Sequence, residues 1–250
     1  MDTADHDAAL AVIRSTSVPV HDIGTAAYLS RDVFGWAAEW GWSNPFAFYF
    51  AGRGGMLGDV GPEVVCAAFG WFTPTMVETL FVEGAAVKGA SAAAARMAEA
   101  HALWGQKYLG DVPGLADIVA VTETLVDGLE GSGLPLFAGW RVAQRADDDA
   151  GKAAQLMQML REWRGGLHLV ATTAVGLSPM EAILTNEGEG QAKFFGWSEP
   201  FPDCTSIRHK HDEAEDLTDQ LSVASFSSAL SPDRFEEFAA GVAAIHAALP

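Results

Sequence analysis

The sequence predicts an all-α fold, a multi-helix bundle of roughly ten helices with a small C-terminal helical module. Three observations lead there. Apolar residues recur at helical spacing along most of the 250 residues, and no segment sustains the alternation of a half-buried strand. Several segments open on a helix-start signature in which proline sits early in the first turn, as at Ser43–Asn44–Pro45 and Ser178–Pro179. Hydrophobic residues make up 49% of the chain and charged ones 19%, enough to fill a core and too few charges for disorder.

"DHDAALAVIRS" reads as a short first helix that ends before Pro19, because proline interrupts the hydrogen-bond ladder. "DIGTAAYLSRDVFGWAAEWG" follows as a helix closing on Gly41, and "FAFYFAGRGGML" starts after the Asn44–Pro45 signal. Pro74 kinks or restarts "EVVCAAFGWFTPTMVETL". The alanine-rich "ASAAAARMAEAHALWGQKYL" and "GLADIVAVTETLVDGLEG" are strong helix formers. "LPLFAGWRVAQR" follows Gly133, and "DDDAGKAAQLMQMLREWRGGLHLVATTAVGL" opens on three aspartates suited to a helix N-terminus. "SPMEAIL" has Ser178 as N-cap and Glu181 in the first turn. After Gly188 the texture becomes loop-rich, and two closing helices follow. The expected division is therefore a core domain over 1–187 and a smaller module over 188–250.

Net charge is −18, from 15 Lys and Arg against 33 Asp and Glu. Nucleic acid and anionic membrane surfaces select for the opposite sign, so the composition predicts neither as a partner. No apolar run reaches the ~20 residues that span a bilayer, and the acidic start lacks a signal-peptide pattern. Two cysteines make no disulfide framework. The expectation is a cytoplasmic protein with reduced thiols, able to pair with a second copy of itself.

The chemistry concentrates in two stretches. On a helical wheel over 156–174, Leu156, Leu160, Trp163, Leu167 and Val170 gather on one side, and Arg161, Arg164, His168 and Thr172 on another. The second strip presents two fixed cations beside a group that titrates near neutrality. It suits a carboxylate or phosphate, with His168 as a catalytic acid or base. Its alternative is a solvated helix face. Gly165 and Gly166 cost about 1 kcal/mol each in a helix interior. Their presence predicts a bent or broken helix with close approach of a neighbour or ligand. Arg53 ends the apolar run "FAFYFAG", which suggests either a pocket contact or a buried ion pair with Glu63, Glu78 or Asp147–Asp149. His21 either caps a helix or faces the pocket. Cys204, His209, His211 and Asp212 match no standard zinc spacing, so no metal is expected. No phosphate-binding loop, Gly-x-Ser-x-Gly elbow or His-Glu-x-x-His motif is present, and the cofactor stays unassigned.

"YFAGRGGMLGDVGPEVVCAAFGWFTPTMV", "LREWRGGLHLVATTAVGLSPMEAIL", "FFGWSE" and "EDLTDQLSVASFSSAL" together resemble the blocks of an actinobacterial family of all-helical proteins described as helix-turn-helix proteins. The resemblance spans about residues 20 to 249. It implies that His21, Arg53, Arg161, Arg164, His168, Glu181, Trp197, Thr218 and Asp219 fall on the family pattern. It also implies a winged-helix segment after Trp197, which this chain shortens, running from "GWSEPFPD" almost directly into "HDEAEDLTDQL".

The resulting expectation is a soluble helical protein that binds a small anionic or aromatic molecule. Arg53, Arg161, Arg164, His21 and Trp197 would contact it, and His168 would carry any catalysis. Two alternatives stand beside it: a transcriptional regulator of helix-turn-helix type, and a non-catalytic partner-binding protein.

Overall fold

The structure is a computed structural model and describes residues 3–250. It is all-helical, with no strand among the described residues. The α-helices are α1 (Thr3–Tyr28), α2 (Arg31–Glu39), α3 (Pro45–Gly54), α4 (Pro62–Phe69), α5 (Pro74–Lys88), α6 (Ala90–Tyr108) and α7 (Leu115–Gly128). They continue with α8 (Pro135–Arg141), α9 (Asp149–Ala174), α10 (Pro179–Asn186), α11 (Glu189–Phe194), α12 (His209–Ala229) and α13 (Phe235–Ala247).

Helix α9 is the axis of the molecule. Its residues from Ala153 to Leu160 are all buried, so this half presents no solvent face, as a helix enclosed on every side must. Helices α1, α6, α7, α8 and α12 pack around it, and α3 sits between α5 and α6. The closing helices α12 and α13 pack on α1 and α7, and Val223, Phe226, Phe238 and Ile245 join the same apolar core. No single helix among the described residues is long and apolar enough to cross a membrane. Cys66 and Cys204 are free thiols.

Two local expectations are corrected. The first helix does not stop at Pro19 but runs through it to Tyr28. Its buried residues on both sides of the proline, Ile13, Thr16, Val20 and Ile23, keep one stripe against the core, and that packing outweighs the lost ladder bond. The second expected helix is split by Ser30, which accepts from the Asp32 amide and caps α2.

The end of α9 is the sharpest corner of the fold. Gly176 adopts φ 74°, its N–H donates to the Thr173 carbonyl, and the Leu177 N–H donates to the Thr172 carbonyl. This is the glycine-ended helix stop that two such bonds define. Ser178 then caps α10, accepting from the Glu181 amide while the Glu181 carboxylate accepts from Ser178 N–H. The stop and the start leave a four-residue turn, and α9 and α10 meet at 103°. Both signals are local to "TTAVGLSPME", and of the two the start at Ser178 was the one expected.

Candidate functional site

The second half of α9 leaves the core and borders a cavity of about 1160 Å³, at the upper end for a small-molecule site. Helix α1 supplies His21, Thr25 and Tyr28 to its wall, α3 supplies Tyr49, Phe50 and Arg53, and α4 supplies Phe69. Trp71, Phe72, Leu134 and Leu136 come from connections and α8, and Ile183, Asn186, Gln191 and Phe194 come from α10 and α11. His211, Ala214 and Glu215 at the start of α12 complete it.

Arg161, Arg164, His168 and Thr172 all line this cavity, so the strip read on the wheel is a cavity wall rather than a solvated face. The wheel held because α9 is continuous through Gly165 and Gly166; the expected break is absent. The two glycines have different surroundings. A Cβ on Gly166 would stand 2.8 Å from Leu134 Cδ2, so a neighbouring side chain does press there. A Cβ on Gly165 would meet nothing within 4 Å, because that position opens into the cavity.

Arg53 also borders the cavity, and it is paired. Its Nε and Nη2 donate to Glu162 Oε1 and Oε2 at 2.7 and 2.8 Å, a bidentate contact with both side chains over nine-tenths buried. The guanidinium lies 4.3 Å from the centre of the Phe69 ring. The partners suggested by the sequence, Glu63, Glu78 and the aspartates at 147–149, are not the ones used. Glu162 went unnoticed because it sits between Arg161 and Trp163 in an apparently charged run. Its i−4 neighbour Gln158 was the one local signal available.

Glu162 Oε1 further accepts from Gln158 Nε2 at 2.8 Å, from Tyr28 Oη at 3.2 Å and from Arg161 Nη1 at 3.4 Å. Burial pushes the Glu162 carboxyl up, but the Arg53 charge and hydrogen bonds outweigh it and hold the group below the usual carboxylate range. Burial and the Glu162 charge push the Tyr28 phenol well up, so it stays a neutral donor.

Farther along α9, His168 Nδ1 lies 2.9 Å from Thr218 Oγ1. The Thr218 hydroxyl donates to the Ala214 carbonyl at 2.7 Å, so its oxygen accepts from His168 and fixes the proton on Nδ1. The neutral ring therefore keeps an unprotonated Nε2, which stands 3.6 Å from Glu215 Oε1. Burial is the main cause of a lowered His168 pKa; Glu215 opposes it and Arg164 reinforces it. Arg164 Nη2 donates to Glu215 at 2.7 Å and reaches Asp219 at 3.5 Å. The Trp71 ring sits 5.7 Å from the His168 ring.

His21 lies inside α1 and does not cap a helix; it faces the cavity, with Nδ1 3.5 Å from Asp22. Its side chain is 62% exposed at the edge of the cavity, and partial desolvation there, with the Arg161 charge, lowers its pKa. Trp197 does not line the cavity. Its Nε1 donates to the Trp71 carbonyl at 2.9 Å and so steadies the loop whose indole does. Cys204, His209, His211 and Asp212 form no metal cluster among the described residues.

A helix-turn-helix family profile matches residues 13–203, well over half of the chain. The chain belongs to this helix-turn-helix family. No curated protein and no solved structure matches it. Membership corrects the expectation that nucleic acid is excluded as a partner. That expectation treated the net charge of −18 as if it were spread evenly. Contacts to phosphate are local, and a few basic side chains or helix N-termini on one face can make them. Arg208 and Lys210 stand at the start of α12, and Lys210 Nζ donates to the Gly176 carbonyl at the α9–α10 corner.

Proposed function

We propose that this chain is a transcriptional regulator of helix-turn-helix type that senses a small molecule in its central cavity. One observation carries the reading: the cavity wall is continuous from α9 across the 103° corner to α10 and α11. A right-angled helix pair joined by a short glycine-containing turn is the geometry of a helix-turn-helix. Arg164, His168 and Leu169 border the same cavity as Ile183, Asn186 and Gln191, so a molecule large enough to fill it would meet both sets. Occupancy can therefore bias the placement of α10 and α11 relative to α9, provided the ligand's contacts differ between the two placements.

In this reading the Arg53–Glu162 pair is the rigid floor of the cavity. His168 is a hydrogen-bond acceptor at its wall, in the place where an acid–base role was expected. Of the alternatives, a purely partner-binding protein gives no account of polar side chains converging on an aromatic-lined cavity.

Selection from a random duplex pool tests the regulator reading. An enriched sequence should bind at least about 10³-fold tighter than the unselected pool at ~150 mM salt. The affinity should change when an occupant of the cavity is added. A pool from which no sequence enriches overturns the reading.

A further inference from the structure

The charges around the cavity do not balance evenly. Arg53 and Glu162 form a closed bidentate pair. Arg164 is matched by Glu215 and Asp219, and Asp219 also takes Arg14. Among the described residues Arg161 has no carboxylate of its own, and its one ionic contact there is a 3.4 Å share of Glu162 Oε1, an oxygen that already accepts from Arg53, Gln158 and Tyr28. Its Nε is buried without a hydrogen-bond partner, as is that of Arg164, so the difference between the two arginines is the carboxylates. Asp22 of α1, which does not line the cavity, is engaged by His21 and His246.

The fold nevertheless makes room for Arg161. A Cβ on Gly24 of α1 would stand 2.4 Å from Arg161 Cδ and 2.8 Å from Gln158 Oε1. The bare glycine thus lets the arginine stem cross α1, at a cost of about 1 kcal/mol of helix propensity. The guanidinium then lies 5.4 Å from the centre of the Tyr28 ring. The mouth carries a second signature. Six of the ten exposed large apolar side chains among the described residues, Val18, Leu29, Phe46, Val64, Val170 and Phe194, lie along this one cavity. Apolar exposure concentrated at one opening marks a binding surface.

We infer that the cavity takes an amphipathic monoanion, a carboxylic acid with an aromatic or aliphatic body, whose carboxylate is held by Arg161 and whose body runs along the aromatic wall to the apolar mouth. This inference rests on the sensor reading and narrows it to one class of ligand. Arg161 of α9 supplies the unmatched charge, His21 of α1 also borders the cavity, and Phe46, Trp71 and Phe194, which keep exposed surface along it, border the apolar portion.

The test uses two matched pairs of probes, 2-naphthylacetic acid with its amide and dodecanoic acid with its amide. Each is titrated into the full chain while tryptophan fluorescence is followed, Trp71 being in the cavity wall. In at least one pair the acid should bind about 10-fold or more tighter than the amide, the size of a charge-assisted contact. Arg161→Gln should abolish that preference and leave amide affinity within about two-fold; retained amide binding shows that the variant is folded. Gly24→Ala, which keeps the charge and displaces the stem, should lose the same preference. Equal affinity of acid and amide in both pairs overturns the monoanion inference and leaves the sensor reading standing. Acid preference that survives Arg161→Gln overturns the assignment to Arg161. If none of the four probes binds at millimolar concentration, the sensor reading fails and takes this inference with it.

Discussion

Replacing Arg53 by methionine isolates what holds the cavity floor. The unbranched side chain keeps much of the packing against Phe69 and removes the charge. Glu162 Oε1 then loses the Arg53 Nε donor but keeps Gln158, Tyr28 and Arg161, whereas Oε2 loses its Arg53 partner in a site where the side chain is 2% exposed. Leaving one member of a buried ion pair uncompensated costs about 3–5 kcal/mol. For a chain of this size, at 2–4 °C per kcal/mol, Tm should fall by about 6–20 °C in a thermal melt. Glu162→Gln should cost a comparable amount, because it strands the guanidinium. The double variant Arg53→Met/Glu162→Leu should recover much of the loss, with a coupling of at least ~1.5 kcal/mol, since no buried charge is left unpaired. Acidification supplies an independent sign. The Glu162 carboxyl is lowered on folding, so its contribution is full above the ordinary value of 4.5 and is lost as pH falls through the lower folded value. In Arg53→Met that loss on acidification should vanish, and burial without the arginine should raise the carboxyl so that stability instead falls as pH rises above 4.5. Single variants within 2 °C of wild type, or strictly additive losses, would refute the buried-pair account.

Two further outcomes follow from particular side chains. Gly165→Ala should raise stability by about 0.5–1 kcal/mol, because it adds helix propensity where nothing is met within 4 Å. Gly166→Ala should gain less or lose, because the buried Leu134 must shift; denaturant melts of the pair would show it, and equal gains would contradict the contacts described. His101 is fully buried, its Nδ1 donating to the Met97 carbonyl at 2.9 Å, and burial lowers its pKa to about 4. It should stay neutral down to that pH in an NMR titration, and its contribution to stability should be lost as pH falls from 6.5 toward 4. A titration midpoint near 6.5 would contradict its burial.

Helix signals and strip were legible because each is set by neighbours in sequence. The capping residues Asn44 and Ser178 and the 3.6-residue period of Arg161, Arg164, His168 and Thr172 need no tertiary information. What was misread depended on contacts between distant segments. Pro19 is carried by core packing on both sides of it, and Arg53 finds Glu162 109 residues away. Gly165 and Gly166 looked alike in the sequence, yet one faces space and the other Leu134. Trp197 looked like a pocket aromatic and instead bonds the Trp71 backbone. The exclusion of nucleic acid failed for a related reason. Net charge averages over the whole surface, whereas recognition is made by one face of it.

Hydrogen exchange with and without saturating 2-naphthylacetic acid tests the central claim most directly, that the cavity occupant is read out by the helices beyond the α9–α10 corner. Backbone amides of 161–174 and of 177–195 should both gain protection, because both segments line one cavity. Protection confined to 161–174, with 177–195 exchanging as in the free chain, would contradict the account.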